Sequence, residues 1–177
     1  MKIGNQVNTE QGGDGKFVDS RDIKTSPDGI KVRLYGDAEM GYSYFKEGDE
    51  GKVTVVRSLG IPDMEGATDG FQGAEQKPTK NFYVVAWNYA TEAPCLLTLD
   101  KVTLINSVIA VNDDEDLASC TDYDFKMTND PKQPPQSQYK VVRMDKTDLT
   151  KEQKAGLKEF AESVDLAAHA AGEKTDF

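Results

Sequence analysis

Tyr83, Trp87 and Tyr89 sit on alternate positions of one short segment, Asn81–Tyr89. In an extended chain alternate residues share a face. Tyr83, Val85, Trp87 and Tyr89 therefore line one side, and Phe82, Val84 and Ala86 the other. A half-buried strand carries one polar face, and this one carries none. Two explanations fit the pattern. Either protein packs on both sides, or the aromatic side is open to a flat partner such as a nucleobase, where stacking contributes about 1–3 kcal/mol per base. Sequence-tolerant binding of a single strand also needs cations along the phosphate backbone. Residues Gly29–Gly36 place Lys31, Arg33 and Tyr35 opposite Ile30, Val32 and Leu34. Tyr42, Tyr44, Lys46, Arg57 and Lys80 are candidate rim residues for the same surface.

The elements that must hold these side chains follow from periodicity and turn residues. Gly29 and Gly36 bracket the first alternating strand. The aromatic segment 41–45 and a strand at 52–58 form an expected hairpin around Gly48-Asp49-Glu50-Gly51. Residues 60–80 contain Pro62, Gly66, Gly70, Gly73 and Pro78 and read as a long acidic loop. The aromatic strand comes next, and Leu96–Leu99 continues after a turn at Glu92-Ala93-Pro94. Val102, Ile105, Val108 and Ile109 fit an amphipathic helix with Asp100 as its N-cap, closed by the acids Asp113–Asp116. Two strands then follow, 122–128 and 138–145, joined by a loop stiffened by Pro131, Pro134 and Pro135. In the second of these, Lys140 and Arg143 fall on opposite faces, so at most one of them lines a groove. Thr150-Lys151-Glu152-Gln153 is a capping box that opens a helix running to about Val164, with Leu157, Phe160 and Val164 on its buried side.

Composition narrows the chemistry. The chain has 177 residues, 37% hydrophobic and 29% charged, enough for one domain. No window approaches the ~18 apolar residues of a membrane span, and the start lacks a secretory apolar region, so a cytoplasmic location is expected. Cys95 and Cys120 form no Cys-x-x-Cys, and His169 is the single histidine. Thiolate zinc sites and histidine-based catalysis therefore lack material. Asp113–Asp116 lacks the spacing of a calcium loop, and Gly70–Gly73 lacks the Lys-Ser/Thr of a phosphate loop. We expect no enzyme activity, metal or cofactor.

A net charge of −10 argues superficially against nucleic acid. Its distribution matters more. Acids concentrate in 60–76, in 111–130 and in 159–177, where few bases oppose them, and the remainder of the chain is net basic.

Three or four antiparallel strands, a helix, then two more strands ending in a hairpin is the element order of an oligonucleotide/oligosaccharide-binding (OB) barrel. The expected class is mainly β with helices (α+β). The expected architecture is an OB-fold-like antiparallel barrel, with a helix between its third and fourth strands and a C-terminal helix. The boundaries are a flexible arm at 1–15, a domain at 16–164 with the 60–80 loop inserted, and an acidic, weakly ordered tail at 165–177.

Four stretches also carry a family resemblance. They are Leu96–Asp116, Thr121-Asp122-Tyr123-Asp124-Phe125-Lys126-Met127-Thr128, Gln138-Tyr139-Lys140-Val141-Val142-Arg143 and Leu149-Thr150-Lys151-Glu152-Gln153. Over about residues 29–160 the chain resembles phage-type single-stranded-DNA-binding replication proteins. Some of those carry a zinc-binding cysteine cluster where this chain has its acidic loop. The resemblance implies coating and protection of single-stranded DNA in replication, recombination or repair. It also implies a tail, here Glu173, Asp176 and Phe177, that contacts polymerase, helicase or nuclease partners. The expected DNA contacts are Lys31, Arg33, Tyr35, Tyr42, Tyr44, Lys46, Arg57, Lys80, Tyr83, Trp87 and Tyr89. The alternative is a non-catalytic module whose aromatic face binds a protein partner.

Overall fold

A computed structural model describes residues 15–174. The strands are β1 (Phe17–Val18), β2 (Ile30–Glu47), β3 (Val53–Ser58), β4 (Thr79–Asn88), β5 (Ala93–Leu99), β6 (Tyr123–Asn129) and β7 (Tyr139–Lys146). The helices are α1 (Ser20–Thr25), α2 (Val102–Asn112), α3 (Lys151–Ser163) and α4 (Leu166–Ala170). The strands form one open sheet in the order β1-β5-β4-β2-β6-β7, with β3 added to β2. Every pairing is antiparallel except β1 with β5. The fold is therefore a mostly antiparallel sheet with helices, as the sequence predicts at that level.

The organising element is β2. The expected strand at 29–36 and the aromatic segment at 41–45 are one continuous strand of 18 residues. β4 pairs along most of its length, and the register shifts between Tyr35 and Glu39, beside Gly36 at φ 70°. On its other edge β2 pairs with β6 through Ile30–Arg33 and with β3 through Tyr42–Glu47. A bulge bends and twists a strand, which lets one strand serve two neighbours in succession.

The two sheet faces are covered differently. Ile30, Val32, Leu34, Val84, Ala86, Leu97, Phe125 and Met127 pack with Leu104, Ile105 and Val108 of α2 and Ile23 of α1. Tyr123 joins the same core. The opposite face lies under the C-terminal helices. There Leu157, Phe160 and Ala161 of α3 meet Val85 and Trp87, while Val164 and Ala170 meet Tyr83 and Leu96.

Three local expectations need correction. Asp100 does not cap α2. Lys101 holds the N-cap position without a side-chain bond, while Asp100 Oδ2 accepts a 2.8 Å bond from Ser20 Oγ. Val102 is exposed, so the buried stripe of α2 is Leu104, Ile105 and Val108. Residues 165–170 are not a loose tail. Asp165 caps α4 through Ala168 N–H, and the turn docks with His169 and Ala170 buried. Gly41 makes room for it: a Cβ there would stand 3.2 Å from Ala170 Cβ and 3.3 Å from Tyr83 Cε2. The capping box at Thr150 and Gln153 forms as expected, with both reciprocal bonds present.

Candidate nucleic-acid interface

The aromatic face of β4 is closed. Tyr83 is 2% and Trp87 9% exposed. The Tyr83 hydroxyl accepts from Asn81 Nδ2 at 3.2 Å, and its ring meets His169 edge-on at 5.0 Å. Trp87 packs against Leu157, and its indole N–H is buried without a partner. Gly156 of α3 lies over its ring, where a Cβ would be 3.6 Å from Cζ3. Of the two explanations for a strand with two apolar faces, packing on both sides holds for Tyr83, Val85 and Trp87. Burial lowers the pKa of His169 to about 4, with the Arg57 charge adding to the shift, so the ring is neutral near pH 7.

Arg33 also departs from expectation. It is 3% exposed and is held on all sides. Its Nε donates to Asp124 Oδ1 at 2.8 Å, and its NH2 donates to Thr147 O and Oγ1 at 2.8 and 2.6 Å. The same Asp124 oxygen accepts from Tyr89 OH at 2.9 Å, and Oδ2 lies 3.0 Å from Lys31 Nζ. Lys31 Nζ stands 4.1 Å from the Tyr89 ring centroid. Desolvation, with Asp124 second, raises the Tyr89 phenol to about 12. A buried guanidinium and carboxylate bonded this fully form a structural clamp between β2, β6 and the segment leading into α3.

The remaining expected residues divide between the faces. Tyr35 is half-buried against the α3 cluster. Tyr44 is buried, its hydroxyl donating to Glu65 O at 3.3 Å, so it anchors the acidic loop instead of lining a rim. Lys46 is half-buried, with its aliphatic stem along Gly66. Tyr42 pairs across with Lys80, whose Nζ is 5.4 Å from the Phe82 ring. Arg57 is half-buried and lines a cavity on the α3 side of the sheet. Glu173 is exposed, whereas Asp176, Phe177 and the arm at 1–14 lie outside the described residues.

An open basic surface lies beside the clamp. Lys31 of β2 stands directly opposite Lys126 of β6, and Lys126 opposite Val142 of β7. Lys140 opposes Thr128 on the same face, since Lys126 and Thr128 are two residues apart in one strand. Lys126, Lys140, Val142 and Met144 are all exposed. Arg143 turns the other way, 4.6 Å over the Tyr123 ring. Two lysines directly opposite on adjacent strands repel. Asp124 offsets that repulsion only on the Lys31 side, at 3.0 Å from its Nζ.

Sequence reasoning missed Lys126 and left Lys140 open. The signal was available in the alternation of β6, where Asp124 and Lys126 must face away from the core residues Tyr123, Phe125 and Met127. Among the described residues, no group of three His, Cys, Asp or Glu side chains is placed to hold a metal, and no helix is long and apolar enough to cross a membrane. No protein-family model, curated protein or solved structure matches the chain.

Proposed function

We propose that this protein binds single-stranded DNA without sequence preference, coating and protecting it, on a sheet of OB-barrel type. The observation that carries the reading is the cross-strand lysine pair Lys31–Lys126, in which Asp124 neutralises only Lys31, with Lys140 beside it on the same open face. A phosphate seated between them removes a repulsion that folding leaves in place. Connectivity supports the barrel assignment. β2 pairs antiparallel with β4, β4 with β5, α2 follows, and the chain returns along β2 through β6 and adds β7 as the last strand of the sheet before α3. The resemblance to phage-type replication proteins supports the same function.

The mode of binding differs from the one the aromatic strand suggests. Contact is led by backbone cations, with Tyr89 and the apolar Val142 and Met144 at the margin. Tyr83 and Trp87 act as the floor on which α3 and α4 dock.

A protein-interaction reading has one observation of its own. Among the described residues β7 ends the sheet with one unpaired edge, and its Val142 is 56% exposed. Exposed edges of this kind pair with other chains.

Anisotropy of a labelled oligo-dT strand across a salt series separates the two. The DNA reading expects log K to fall linearly with log salt. The slope should lose about 0.7 for each phosphate contact removed by Lys126→Ala or Lys140→Ala. An oligo-dT strand that stays free at low ionic strength overturns it.

A further inference from the structure

A cavity of about 580 Å³ opens on the α3 side of the sheet, at the end away from the lysine row. Its floor follows the strand register. Ser43 lies opposite both Arg57 and Thr79, and Phe45 opposite Val55, so Phe45 and Arg57 are diagonal neighbours on one face. Asn81 and Tyr83 continue the floor along β4 and are joined by a 3.2 Å bond.

Arg21 and Lys101 on the wall have carboxylate partners, whereas Asp22 accepts a backbone N–H and no cation, and Asp100 Oδ1 is buried without a partner among the described residues. Arg21 pairs with Asp19, and Asp22 accepts from Asp19 N–H at 2.9 Å. Lys101 Nζ lies 3.6 Å from Asp100 Oδ2. Arg57 faces the Tyr83 phenol and the neutral His169, and among the described residues it has no carboxylate partner. A half-buried guanidinium without a counter-charge is a site for an oxyanion, and its planar fork matches phosphate. Phe45, 45% exposed, supplies a flat apolar face one diagonal step away. Diagonal cross-strand neighbours are about 7–8 Å apart, comparable to the span from the base to the phosphate of one nucleotide.

We infer that this cavity holds a phosphorylated nucleoside, with Arg57 on the phosphate, Phe45 against the base, and the Ser43 and Thr79 hydroxyls beside them. The choice of a nucleoside over another organic phosphate rests on the DNA reading. The occupant is either one unit of a bound strand or a free nucleotide.

Calorimetric titration with dTMP and with inorganic phosphate tests the site, using wild type, Arg57→Gln, Phe45→Ala and the double variant Lys126→Ala/Lys140→Ala. Thermal melts serve as the folding control. dTMP should bind the wild type and lose at least about tenfold in Arg57→Gln, since a charge-assisted bond is removed. Phe45→Ala should weaken dTMP and leave phosphate unchanged. The double lysine variant should bind dTMP as wild type does. Displacement of dTMP by oligo-dT identifies a strand unit, and failure to displace it identifies a free nucleotide. If dTMP is not bound, or is bound equally by a folded Arg57→Gln, the cavity assignment is overturned. In that case, oligo-dT binding that still weakens in the lysine variant leaves the DNA reading standing. If oligo-dT is not bound but dTMP binding depends on Arg57, the DNA reading fails and the cavity remains as a nucleotide site.

Discussion

Two parts of the same sheet face carry the side chains most suggestive of nucleic acid, and they have opposite fates. Around Tyr83, Val85 and Trp87 the face is roofed by α3 and α4. Around Lys31, Lys126 and Lys140 no helix of the described residues covers it, and Lys126 and Lys140 are exposed. The difference follows from the cost of leaving each kind of side chain in water. Large rings gain most from burial, so a nearby amphipathic helix settles on them. Lysines lose their hydration if covered, so the same helix stops short of them. The aromatic patch therefore contributes mainly to stability, and the lysine row stays exposed, where the proposed function places the strand.

The largest expected effect breaks the roofed half. Trp87→Ala should destabilise by about 3–5 kcal/mol, read as a lower melting temperature and denaturation midpoint. Under conditions where the variant remains folded, its oligo-dT affinity should stay near that of wild type. The second effect acts on the α4 end of the same roof. His169 is held neutral, with its pKa lowered from 6.5 to about 4. The unfolded chain therefore takes up a proton first, and stability contributed there is full above about pH 6.5 and declines as pH falls toward 4. A pH series of urea midpoints should show that slope, and His169→Phe should flatten it.

A smaller effect sharpens the comparison in the stabilising direction. Gly156 lies in the interior of α3, and its added Cβ would meet the Trp87 ring at 3.6 Å, an ordinary contact. Gly156→Ala should therefore raise stability by about 0.5–1 kcal/mol through helix propensity. The smallest effect on folding belongs to the open half. Lys126→Ala and Lys140→Ala should each shift stability by no more than about 0.5 kcal/mol. Removing Lys126 should even help slightly by relieving its repulsion with Lys31. A large destabilisation in either variant would show that the row is structural.

The legible features were those decided within a few residues. Alternation in β2 assigned Ile30, Val32 and Leu34 to one core, and Tyr123, Phe125 and Met127 to the same core in β6. The capping box at Thr150 and Gln153 set the start of α3. The features that were not legible depend on where distant elements dock. A capping box states that a helix begins and says nothing about the surface on which it settles, so Trp87 reads as open until α3 lies on it. Arg33 and Lys31 are indistinguishable in an alternating strand. What separates them is Asp124, 91 positions from Arg33, together with the Thr147 carbonyl. α4 escaped notice because it is only 5 residues long, and its Asp165 cap sits in a run that composition describes as a tail. Asp100 has the right type and position for a cap, but Ser20 of α1 competes for its carboxylate.

On the proposed function a single strand contacts the lysine row and leaves the aromatic patch covered. Quantitative lysine acetylation with and without saturating oligo-dT, read by peptide mass spectrometry, tests it most directly. We predict that Lys126 and Lys140 become protected on binding, while the exposed Lys77 and Lys158 react unchanged. Unchanged reactivity at Lys126 and Lys140 in the presence of bound strand would contradict the account.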